Sequence, residues 1–299
     1  MDNSLKGILS LIVSRITAGL NVNCTKYLIP LWIAPMGLVS LRVFFGCIFF
    51  WLLAIFDKPD TSSFADKVKL FLLGAVAVFG YMSLAALAIS YTTPVNFVIF
   101  NATQPLWVFM LSVFAGREKV TFVKVAGIVL GFAGVVATAF SGSAASIASH
   151  PLLGNTLAMC GALVYAVYLI TAASLLKRVS NLVMLRYTFL GAALSAAIAL
   201  AFNGFEAPLF TAQVGWKVIA VLVFILLFPT VLSYILIPIG IKYLKATLVA
   251  VYGYVTLFVA TVVSLVLGQD RFDAMLAAAL LLICVGIFMV NVAERGDIS

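Results

Sequence analysis

A guanidinium in the middle of an apolar run calls for an anion or for backbone carbonyls. Arg15 sits in such a run, between Leu5 and Ile29, roughly 15 Å from its start at 1.5 Å per residue, deeper than an arginine comfortably stretches back to water. Its planar fork can hold a carboxylate through two parallel hydrogen bonds. Bonding to carbonyls, or to the membrane interface, is the competing arrangement, and the residue type leaves both open. Asn21 follows near the same helical face. Asn101 and Gln104 form a polar patch in another apolar run, and Pro105 deprives the Asn101 carbonyl of its helical partner, as in a kinked or discontinuous helix lining a cavity. Bonding between helices is the alternative for this pair, and it is the preferred reading for Asn96 near the end of the run.

Aromatic hydroxyls recur in the same kind of place. Tyr81, Tyr165, Tyr168, Tyr234, Tyr252 and Tyr254 all lie within apolar runs, and such rings suit the wall of a cavity for an amphipathic or aromatic solute. Tyr252 and Tyr254 lie on adjacent faces, so at most one or two of their edges reach a shared cavity. Tyr91, Tyr187 and Tyr243, at the ends of runs, read as interface anchors.

Carboxylates are distributed differently. All ten acidic residues fall at termini, in connections or at the ends of runs, and His150 lies in a connection before Pro151. Proton-coupled and sodium-coupled carriers generally place Asp, Glu or His inside the membrane, so coupling through a buried carboxylate is disfavoured, as is export of cationic drugs. No cofactor or metal site is expected. Cys24, Cys47, Cys160 and Cys284 lie in or beside apolar runs without metal-ligand spacing, and no disulfide is expected.

The elements that hold these groups follow from composition. Hydrophobic residues make up 65% of the 299, charged residues 9%, and the mean hydropathy is +1.22. Soluble domains carry roughly a quarter charged residues. An all-α integral membrane protein is indicated, since the alternating pattern of a lipid-facing barrel is absent and runs such as 274–292 are unbroken. At about 20 apolar residues per span, ten spans are expected near 5–29, 35–56, 68–90, 94–115, 121–140, 151–175, 181–202, 214–240, 245–267 and 274–292. The first is expected to be a retained span and not a cleaved signal.

The chain also repeats. At one constant offset Leu84, Ile89, Tyr91, Ser112, Gly116, Ala126, Leu130 and Gly134 fall on Leu236, Ile241, Tyr243, Ser264, Gly268, Ala278, Leu282 and Gly286. The expected division is a first five-helix repeat at 1–140, a linker at 141–150 and a second repeat at 151–299. Placing the amino terminus in the cytoplasm puts Lys6, Lys58, Lys67, Lys69, Arg117, Lys119, Lys124, Lys177, Arg178, Lys242, Lys245 and Arg295 inside, with only Lys26, Lys217 and Arg271 outside. Both termini are therefore expected in the cytoplasm, and five spans per repeat make the repeats inverted. The basic excess is scattered over span ends, so no nucleic-acid partner is expected. Arg42 and Arg186 take matching places in the second helices of the two repeats. That symmetry favours a structural tie for both, with Arg42 a second anion-binding candidate if it faces inward. Gly127, Gly131 and Gly134 form a small-residue stripe, either a packing seam or a dimer face, so a monomer or a homodimer is expected.

Gly19, Asn21 and Lys26, then Arg42, the stretch Ala88 to Tyr91, Pro105, the run Gly116, Arg117, Glu118 with Gly127 and Gly134, and its echo in Gly268 and Gly286 resemble the drug/metabolite transporter superfamily, in its EamA-like branch, over essentially the whole chain. Ala18 stands where the family often has Trp, Leu257 where it usually has Pro, and the acid after Gly268 is displaced to Asp270. The resemblance implies an inner-membrane permease, often an exporter of amino acids or other small metabolites, with a central cavity between the repeats. The tyrosines of the ninth helix are similar to those of exporters of aromatic amino acids. An exchanger of phosphorylated or nucleotide-linked solutes is the alternative, followed by a membrane enzyme acting on lipid-linked substrates or a scramblase. A catalytic role would need an acid, base or metal cluster that the scattered carboxylates do not supply.

Overall fold

The computed structural model describes residues 3–57, 60–116, 120–139, 148–211, 213–269 and 274–296. Among them ten helices carry the fold, with no strand. They are α1 (Asn3–Leu28), α2 (Pro35–Ala54), α3 (Phe64–Tyr91), α4 (Pro94–Phe114), α5 (Phe122–Ala139), α6 (Pro151–Leu175), α7 (Asn181–Asn203), α8 (Trp216–Tyr243), α9 (Ala246–Val266) and α10 (Ala274–Gly296). Eight are long and apolar enough to cross a membrane; α5 and α10, the last of each repeat, have shorter apolar stretches, Phe122–Gly134 and Ala277–Val290. Arg117, Glu118, Lys119, Asp270, Arg271 and most of the expected linker lie outside the described residues.

Local chemistry sets the ends. Pro35, Pro94 and Pro151 open their helices, where a missing N–H costs nothing. Ser63, Thr93 and Ser180 cap α3, α4 and α7 through their hydroxyls. Gly116 and Gly268 end the turns after α4 and α9 with φ of +65° and +66°, a conformation other residues rarely adopt, and they are repeat-mates.

Contacts are symmetric under exchange of the repeats. Helix α1 packs on α8 and α9 as α6 packs on α3 and α4, while α2 meets α7 and α5 meets α10. Inversion is visible in the bonds between helix ends. Lys26, near the end of α1, donates through Nζ to the carbonyls of Ile89 and Thr92 at the end of α3, at 2.9 and 2.7 Å. The Thr92 hydroxyl in turn donates to Asn155 Oδ1, 3.0 Å away, near the start of α6. The first helices of the two repeats therefore run in opposite directions.

Close approach depends on glycine. A Cβ on Gly191 of α7 would lie 1.9 Å from the Phe71 carbonyl oxygen, and one on Gly74 of α3 would lie 1.8 Å from that of Thr188. Gly127 and Gly131 of α5 form a seam with Gly286 of α10, whose added Cβ would meet the Gly127 oxygen at 2.4 Å. In lipid, where no hydrophobic force drives helices together, such backbone contact supplies the attraction.

The π turns and the break in α9 were not expected from sequence, whereas the break in α4 was. Helix α3 widens into a π turn at Gly74–Val78, and α8 does so at Leu226–Leu232, the matching place in the second repeat. Helices α4 and α9 are interrupted at the same level, α4 at Ala102 and Thr103, as Pro105 predicts, and α9 at Tyr252 without a proline.

Candidate substrate site

Pro229 in the π turn of α8 and Asn101, just before the break in α4, border a central cavity. Arg15, Asn21, Arg42, Tyr81, Asn101, Tyr165 and Tyr234 all line it, so seven of the side chains singled out from sequence are brought together from α1, α2, α3, α4, α6 and α8. A smaller compartment lies beside it and is lined by Gln104 and Tyr254; Arg15, Tyr81 and Asn101 line both.

Arg15 is the hinge of this arrangement. It is buried, donates from Nη2 to the Val249 carbonyl at 3.3 Å, and lies with its guanidinium carbon 5.6 Å from the Tyr165 ring centre. Its Nε is buried without a hydrogen-bond partner. The backbone around it is locked: Thr256 donates to the Arg15 carbonyl at 3.2 Å, and Ser233 lies 2.5 Å from Thr17 Oγ1 and donates to the Ser14 carbonyl. About two turns further on, Asn23 donates to the Ala260 carbonyl at 3.1 Å. The first helix is thus held against α8 and α9 by polar bonds, each contributing on the order of 1 kcal/mol.

Arg42 and Arg186 part company. Arg186 is a structural tie, donating to Asp60 and lying over the rings of Trp51 and Tyr187. Arg42 meets no carboxylate among the described residues; its Nε donates to Thr230 Oγ1 at 2.9 Å in the π turn of α8, and it faces the cavity. Sequence symmetry did not separate the two because the difference lies in what each meets across the repeat interface.

The Tyr81 and Tyr165 rings pack tilted at 44° with centres 4.8 Å apart, and Tyr165 lies 5.5 Å from Tyr168. Tyr168 lines neither compartment, being fully enclosed with its hydroxyl unpartnered. Tyr252 also lines neither, and packs instead beside the main core at the break in α9. Ser14, Thr25, Ser233 and Thr256 belong to the wall and were not singled out, since short hydroxyl side chains are common in membrane helices for packing alone. No acidic side chain lines either compartment among the described residues, nor do those residues contain a His, Cys, Asp and Glu cluster able to hold a metal.

The central cavity extends toward Thr25, Leu38 and Ile89, at the end of α1, the start of α2 and the end of α3. In the other direction Leu11, Tyr168, Ile241 and Val249 form a packed, buried layer. Beyond that layer a broad depression opens between the α6–α7 and α8–α9 connections, with Lys177, Arg178, Lys242 and Lys245 around it.

A largely apolar cavity carrying buried polar side chains, between two oppositely directed copies of one helical unit in an apolar helical protein, is the architecture of a multi-pass membrane transporter. The chain belongs to the EamA-like transporter family, whose profile matches twice, over residues 5–140 and 152–292. It is 25% identical over 257 residues to the uncharacterized transporter YyaM of Bacillus subtilis (strain 168), covering 85% of this chain and 83% of that one. An uncharacterized transporter of Archaeoglobus fulgidus is 23% identical over 239 residues, 80% of each chain. A solved crystal structure superposes over 99% of both chains with a TM-score of 0.71 at 22% identity, which shows the fold alone.

Proposed function

We propose that the protein is a secondary carrier of the inner membrane, with both termini cytoplasmic, that exports a small metabolite, an amino acid before other classes. One repeat rocks against the other around the central cavity, opening it alternately to each side. The observation that carries this reading is Arg15, buried at the junction of two polar compartments with an unpartnered Nε. Arg15 holds the substrate carboxylate, Asn21, Asn101 and Gln104 complete the polar shell, and Tyr81, Tyr165 and Tyr234 wall the apolar part. The packed layer at Leu11 and Tyr168 is the barrier that opens toward the basic depression, whose cations raise the local concentration of anionic solutes.

Proteoliposomes loaded with labelled amino acids test it. Saturable efflux above that of protein-free liposomes is expected for at least one of them, with a loss of tenfold or more in Arg15→Gln. Flux no greater than in protein-free vesicles for every amino acid removes the substrate class, and an unaffected Arg15→Gln removes the residue assignment. The placement of Arg42 favours a second reading, exchange of phosphorylated solutes, which counterflow with sugar phosphates would reveal.

A further inference from the structure

We infer that the central cavity is built for a solute with two anionic groups, one held by Arg15 and the other by Arg42. The inference rests on the carrier reading above and narrows its substrate. Both guanidiniums line one cavity, and Tyr81 and Tyr234 lie within electrostatic range of both. Neither arginine has a carboxylate partner among the described residues, where the ion pairs Asp60 makes go to Lys67 and Arg186 instead. Two like charges in a low-dielectric space repel, and a buried cation without a counter-charge destabilises the fold.

The donors left over point to where the anions go. Arg42 spends Nε on Thr230, so its two terminal nitrogens, the pair that takes a carboxylate or phosphate end-on, make no bond to the protein among the described residues. Arg15 spends Nη2 on Val249 and keeps a buried, unpartnered Nε. An ammonium group finds no carboxylate in the wall, only neutral oxygens such as Asn101 Oδ1, which has no donor of its own, and it would stand near two fixed cations. A dianion neutralises the cavity, a monoanion half neutralises it, and a zwitterion leaves both charges uncompensated. The substrate class is therefore a compact organic dianion, a dicarboxylate or a carboxylate bearing a phosphate. Among amino acids the acidic ones come nearest, since they bring two carboxylates, although their ammonium reduces the net charge to one.

The test is ligand binding to the purified full chain by titration calorimetry, using succinate, succinamate, glutamate and glutamine, alongside uptake of the same compounds into proteoliposomes. Succinate and glutamate are expected to bind at least tenfold more tightly than succinamate and glutamine. In Arg42→Gln the preference for the second charge collapses to less than threefold while monoanion binding persists. Glutamine or succinamate binding as tightly as its charged counterpart overturns the two-anion inference and leaves the carrier reading standing. A monodisperse protein that neither binds nor moves any of the four, nor any other amino acid, nor a sugar phosphate in counterflow, overturns both. The wild-type series decides the matter even if the arginine variants do not fold.

Discussion

Arg186, near the start of α7, donates to the carboxylate of Asp60 in the connection between α2 and α3, and that carboxylate also lies 3.2 Å from Lys67 Nζ. The pairing ties the two repeats at the face where α1 begins. Burial opposes the charge on Asp60, but the Ser62 hydroxyl and amide, with Lys67 and Arg186, outweigh it and hold the carboxyl well below the usual carboxylate range. A carboxyl depressed in the fold contributes stability that is complete above its unfolded pKa of about 3.9 and is lost as pH falls below that value. Asp60→Asn is expected to lower the melting midpoint in detergent at pH 7 by about 2–4 °C, as for a loss of about 1 kcal/mol. The difference from wild type should shrink below about pH 4. An equal difference at pH 7 and pH 3.5 would show that Asp60 acts through packing and not charge.

The crossing of α3 and α7 sets the distance between repeats. Gly191→Leu drives a side chain into the Phe71 carbonyl, where even a Cβ has only 1.9 Å. The helices must separate, and overpacking of this kind costs about 1–3 kcal/mol or more. Reduced yield of monodisperse protein and a lower melting midpoint are expected. Gly215→Leu, at a position whose added Cβ meets nothing within 4 Å, serves as the control and should behave as wild type.

A Cβ built on Gly240 lies 2.5 Å from Leu11 Cγ. One carbon–carbon bond more places the two Cβ atoms within about 4 Å, inside the range a disulfide spans. In a background with Cys24, Cys47, Cys160 and Cys284 replaced by serine, Leu11→Cys with Gly240→Cys should cross-link under mild oxidation. Transport should then stop and return on reduction, because the packed layer below the cavity can no longer open. Full transport by a fully cross-linked protein would place the moving barrier elsewhere.

Tyrosines that line the cavity and those that do not should differ. Tyr234→Ala removes part of the central wall and is expected to raise the transport KM severalfold. Tyr252→Phe removes a hydroxyl that reaches neither compartment and should leave KM unchanged. Tyr168→Phe deletes a buried hydroxyl that has no partner, so its melting midpoint should hold or rise. A substantial fall would reveal a bonding role for that hydroxyl.

Local and periodic properties were readable from the chain itself. Apolar runs broken by Pro30, Pro35, Pro94, Pro151 and the glycines after α4 and α9 placed the helix ends within a few residues, because lipid allows the backbone little but helix and those residues end it locally. The duplication was legible for the same reason: matching positions must meet the same packing partners twice. Arg15 announced itself because a charge has few tolerable environments at that depth. Only the assembled structure decided which polar groups share a cavity. Arg42 and Arg186 look equivalent along the chain, yet one meets Thr230 at the cavity and the other Asp60 at the helix ends. Tyr165 reaches the wall while Tyr168, on the same helix, is sealed behind it, and the π turns that aim α3 and α8 have no strong local signature. Those outcomes depend on contacts between residues far apart in the chain, and neither periodicity nor composition records which way a side chain faces once ten helices have packed.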